Sequence, residues 1–127
     1  ADITVVAIAW MVNEALAAAE IMDKEGVSVE VIDPRTLAPL DAGTILKSVQ
    51  KTGRLLVADE AGPTAGASAE FIALATEDDE TFRALKVPVR RVCALNAPIP
   101  YSPVLEDHVF PNQNRITDGI RNVMSAG

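Results

Sequence analysis

The sequence predicts an α/β fold: a three-layer α/β/α sandwich built on a mostly parallel sheet of about five strands. Three observations carry that expectation. Short β-branched runs alternate along the chain with longer stretches of helical spacing. The apolar runs are nearly uninterrupted, as strands buried on both faces require. Hydrophobic residues make up 49% of the chain but aromatics only 4%, so Ala, Val, Leu and Ile must fill the core, as is usual where helices pack on a sheet.

Taken in order, "ITVVAIA" (3–9) reads as a buried strand. Residues 11–25 switch to helical spacing, with Val12, Leu16, Ala19 and Met22 or Asp23 on one face and Gly26 as the stop. "VSVEVID" (27–33) alternates as a strand and ends at Pro34. "PRTLAPLD" (34–41) is a loop whose Asp41 caps a helix at 42–52, and Gly53 closes that helix. "RLLVAD" (54–59) is a second buried strand. A Gly-containing turn (60–67) then opens the helix "SAEFIALAT". "EDDETFRAL" adds a further helical turn or more, and "VRRVCAL" (89–95) is the last strand. Residues 112–125 close the chain as a helix, with Asn112 or Asn114 near its cap and Ile116, Ile120 and Val123 on one face.

Length and charge bound the function. The 127 residues suffice for one domain with one core. The net charge of −7 argues against nucleic acid and against anionic membranes, both of which need clustered Lys and Arg. It allows a basic protein partner. A single cysteine, Cys93, excludes an internal disulfide or a cysteine zinc cluster and fits a reducing compartment. No apolar run approaches the roughly 18 residues of a spanning helix. The chain has no starting Met and enters a strand at once, which reads as a piece of something longer.

The residues offer little chemistry of their own. Gly62 and Gly66 lie in the turn after the third strand, where α/β proteins bind phosphates, but the spacing is neither GxGxxG nor a P-loop, and Asp59 and Glu60 add negative charge there. His108 is the only histidine, so no two-histidine metal site can form. Cys93 lies in a strand, where a thiol behaves as a small hydrophobe. Arg90 and Arg91 alternate faces, so only one of them can anchor an anion. No catalytic, cofactor-binding or metal residue is assigned.

The unusual stretch is "LNAPIPYSPVLED" (95–107), which threads three prolines and the only tyrosine through an apolar run ending in two acids. Prolines at that density fit neither a helix interior nor a central strand, and they hold the preceding residues extended.

Together with "EVIDPRTLAPLD" and "KTGRLLVADE", this stretch resembles the C-terminal, transketolase-like domain of the β subunit of thiamine-diphosphate-dependent 2-oxo acid dehydrogenases, the pyruvate, branched-chain and acetoin type. The likeness runs in order over essentially the whole chain. Trp10 departs from it, standing where family members often carry a small residue. "NAPIPYSPVLED" leans toward acetoin-type or bacterial pyruvate-type enzymes.

The resemblance implies that the parent protein works in an α2β2 assembly with thiamine diphosphate and Mg²⁺. It implies that residues 1–127 bind neither and serve assembly instead. The implied partners are a second β subunit, the α subunit and the small basic peripheral-subunit-binding domain of the lipoyl acyltransferase. The implied location is the bacterial cytoplasm or the mitochondrial matrix. On this reading the proline arm is an interface. Pro98 and Pro100 fix its shape in advance, which lowers the entropy lost on docking. Ile99, Tyr101, Val104 and Leu105 supply apolar contact, and Glu106 and Asp107 meet basic groups. Acids at Glu77, Asp78, Asp79 and Glu80 add to the field a basic partner would meet. Two alternatives stand beside this reading: a free-standing α/β interaction module, and the C-terminal domain of another thiamine enzyme of transketolase or deoxyxylulose phosphate synthase type. The proline arm matches the 2-oxo acid group better than the latter.

Overall fold

Two strands are buried along their whole length, β1 (Ile3–Ala7) and β3 (Leu55–Asp59), and their near-continuous Ile, Val, Leu and Ala content places them at the centre of the sheet. In the computed structural model, which describes residues 1–36, 41–59, 68–93 and 112–126, they pair in parallel with each other. β2 (Val29–Ile32) adds to the outer side of β1 and β4 (Arg90–Cys93) to the outer side of β3, giving the order β2-β1-β3-β4. All pairs are parallel. Four strands are present among the described residues, where about five were expected.

Five helices connect and cover these strands among the described residues: α1 (Met11–Lys24), α2 (Ala42–Thr52), α3 (Ser68–Glu77), α4 (Asp79–Ala84) and α5 (Gln113–Ser125). A 3-10 turn, Pro34–Thr36, lies between β2 and α2. The period of two along the strands sorts the core into two layers. Ile3, Val5, Ala7, Leu56 and Ala58 face α1 and α5, where they meet Met22, Ile116 and Ile120. Val6, Leu55 and Val57 face the other way, onto Ile45 and Val49 of α2 and Phe71 of α3. The register agrees, since Val5 pairs with Leu56 and Val6 with Val57. Helices on both faces of a parallel sheet make the three-layer sandwich that the sequence predicts.

Thr4 is the exception in β1. It faces α2 with no exposed surface. Its hydroxyl lies 2.8 Å from that of Ser48 and 2.9 Å from that of Thr52, which in turn donates to the Arg54 carbonyl at 3.0 Å. Burying three hydroxyls is tolerated because they satisfy one another.

The helix ends follow local chemistry. Gly26 takes φ +83° after α1, and the Val27 amide donates to the Met22 carbonyl at 2.9 Å. Gly53 takes φ +70° after α2 and its amide donates to Val49. Asn112 caps α5 by accepting the Arg115 amide at 3.0 Å. The Asp78 carboxylate caps α4, accepting the Thr81 amide at 3.0 Å and its hydroxyl at 2.7 Å. Asp41 holds the Thr44 hydroxyl at the start of α2 at 2.8 Å.

One expectation is corrected. The core face of α1 is Met11, Ala15, Ala18 and Met22, not the stripe through Val12, Leu16 and Ala19. Leu16 is 50% exposed. The sheet and α5 come close to α1, and small alanines suit that approach better than a leucine.

Four carboxylates are held below their ordinary range: Asp78 by the Thr81 hydroxyl and amide, Asp41 chiefly by the Thr44 hydroxyl, Glu30 chiefly by Lys51, and Glu25 by Arg121, which grips it at 3.1 and 2.6 Å across α1 and α5. Their folded forms give up protons more readily than the unfolded chain does. The stability they contribute is therefore present above the ordinary values of 3.8 for Asp and 4.5 for Glu, and is lost as pH falls through the depressed ones. Melting temperature is expected to fall below that window. Asp78→Asn and Glu25→Gln should each flatten the acid limb in thermal melts, and an unchanged limb would remove these contacts as its cause.

Candidate interaction site at the carboxyl end of the sheet

In a parallel α/β sheet, function gathers beyond the carboxyl ends of the strands, at the point where successive connections leave for opposite faces. Here that point lies between β1, whose connection α1 covers one face, and β3, whose connection α3 covers the other.

Asp59, the last residue of β3, is almost fully buried, and its carboxylate accepts the amide of Ser68, the first residue of α3, at 3.2 Å. A negative charge at a helix N-terminus is favourable. The chain's own carboxylate thus takes a donor that a phosphate would use. The Ser68 hydroxyl lies 3.6 Å from the Cys93 sulfur at the end of β4, and both side chains are buried. The Cys93 carbonyl accepts from Arg115 Nη2 at 2.9 Å.

These contacts define the base of the proline arm. The chain leaves at Cys93 and returns at Asn112. Arg115 joins the two ends through its guanidinium on the Cys93 carbonyl and its amide on Asn112. The Gln113 amide donates to Glu14 of α1 at 2.8 Å, pinning the return. The interface residues expected from the sequence, Pro98, Ile99, Pro100, Tyr101, Val104, Leu105, Glu106 and Asp107, lie outside the described residues, as do Gly62, Gly66 and His108. Sequence reasoning missed Arg115 and Glu14. The only signal for Arg115 was its place in the first turn of the closing helix, and Glu14 reaches its partner across 99 positions.

The earlier acids divide in role. Asp78 is a helix cap, and Asp79 and Glu80 lie in the first turn of α4, where they complement the helix dipole. Trp10 is 74% exposed between β1 and α1, after Ala9 at φ +58°. It shares the wall of a cavity of about 280 Å³ with Arg35. Among the described residues no group of three or more His, Cys, Asp or Glu side chains could hold a metal ion, and no helix is long and apolar enough to cross a membrane.

Comparison with known proteins agrees with this architecture. Residues 1–116 match the family described as the transketolase C-terminal domain. The acetoin:2,6-dichlorophenolindophenol oxidoreductase subunit beta of Cupriavidus necator is 40% identical over 126 residues, 99% of this chain and 37% of that protein. Its Bacillus subtilis counterpart is 41% identical over 115 residues, 91% of this chain and 33% of that protein. The mitochondrial pyruvate dehydrogenase E1 component subunit beta of Saccharomyces cerevisiae is 39% identical over 125 residues, 98% of this chain and 34% of that protein. The chain thus spans about a third of the length of these relatives. A solved split-gene transketolase, described as an inactive beta4 tetramer, superposes with a TM-score of 0.80 at 22% identity, covering 98% of this chain and 39% of that one, which speaks for the fold alone. The four parallel strands with helices on both faces and the near-complete match place the sequence: the chain belongs to the transketolase C-terminal domain family.

Proposed function

We propose that this chain is the assembly and partner-docking domain of the β subunit of an acetoin- or pyruvate-type dehydrogenase component, working in an α2β2 heterotetramer. The observation that carries this reading is the in-order likeness of nearly all 127 residues to β subunits of that kind, at about 40% identity. The parent oxidoreductase uses thiamine diphosphate and Mg²⁺ to decarboxylate or cleave its substrate and passes the acyl group to a lipoyl carrier. The described residues do not fit that cofactor. The Ser68 amide is taken by Asp59, whose charge opposes a pyrophosphate, and no acid cluster among them suits Mg²⁺. No catalytic step is assigned to this chain. Bacterial and mitochondrial relatives alike suit a site of action in the bacterial cytoplasm or the mitochondrial matrix.

In this proposal the arm at 95–107 is the docking element, and its base, tied by Arg115, limits how it is presented. Tyr101 and Ile99 anchor a second β subunit or the α subunit, while Glu106 and Asp107 meet the basic binding domain of the acyltransferase. Charge complementarity of this kind chiefly raises the association rate, whereas apolar anchors set the lifetime. In the full heterotetramer, stopped-flow association with the purified binding domain is expected to slow as salt rises to physiological strength, where the Debye length is about 8 Å. Glu106→Gln with Asp107→Asn should slow it by about tenfold at low salt and flatten the salt dependence. Tyr101→Ser should weaken subunit assembly, read by light scattering. Association indifferent to salt and to both acid replacements would overturn the electrostatic docking role.

A further inference from the structure

We draw no further inference here: the strongest candidate, the cavity of about 280 Å³ beyond the carboxyl end of β1 that the exposed Trp10 shares with Asn13 and Arg35, is an open surface patch, and nothing in the structure shows what covers it in a chain that spans about a third of the length of its relatives.

Discussion

Leu56→Ala is expected to lower the unfolding free energy by about 2–5 kcal/mol, the range for removing a fully buried leucine from a close-packed core. Leu56 has no exposed surface and sits in central strand β3, paired with Val5 on one side and Arg90 on the other. Its side chain faces α5, where one Cδ atom lies 3.4 Å from the place a Cβ on Gly119 would occupy. With strands on both sides and a helix above, the site has little room to collapse, so the cavity term is retained. Urea unfolding by circular dichroism measures the change, and a constant slope would show that the unfolded state is unaltered. Leu16→Ala is the matched control. Leu16 is half exposed on the outer side of α1, so the same chemical change there is expected to cost about 0.5 kcal/mol or less. Equal losses at the two positions would mean that α1 presents its Leu16 stripe to the core.

Gly53→Ala is expected to destabilise by about 3 kcal/mol, from two separable causes. At φ +70° an L side chain is strained. The new Cβ would also stand 2.9 Å from the Ala84 carbonyl oxygen and 2.9 Å from Lys86 Cγ. The lysine can swing aside. The carbonyl is backbone at the end of α4 and can yield only if the turn into β4 moves. Gly26→Ala separates the two causes, because Gly26 has φ +83° but a Cβ there would meet nothing within 4 Å. It should cost only the conformational part, about 1–2 kcal/mol. If thermal or urea unfolding gave the same loss at both glycines, close approach of the α4 end to Gly53 would not be a constraint on the fold.

Features set by neighbours in the chain were readable from the sequence. Gly26 and Gly53 end their helices because glycine alone takes positive φ without penalty, and that is visible in any single sequence. Asn112 caps α5 for an equally local reason. β1 and β3 were legible as buried strands because a continuous β-branched run has no polar side to turn outward. The face of α1 was not legible. "EALAAAEIM" carries overlapping apolar stripes, and alanines give little contrast between them. The closeness of the sheet and α5 chose Ala15 and Ala18 over Leu16. The resemblance carried by the "EVIDPRTLAPLD" and "PIPYSPVLED" motifs agreed with the family found by comparison. The arm residues themselves lie outside the described part of the structure.

By itself, the sequence determined the kind and order of the elements, where the helices stop and the family of the domain, because each of these depends on side chains close together along the chain. Only the tertiary structure decided the contacts at the two ends of the sheet. Asp59 meets Ser68 across nine positions, Arg115 closes the base of the arm on Cys93 across 22, and Glu14 holds Gln113 across 99. Phe82 reads as one apolar residue in a helical turn until the capped ends of α4 are seen to hold it in an open groove with Ile72, Leu85 and Val89. Such contacts depend on which surfaces the packed layers bring together, and separation along the chain carries no local signal of that.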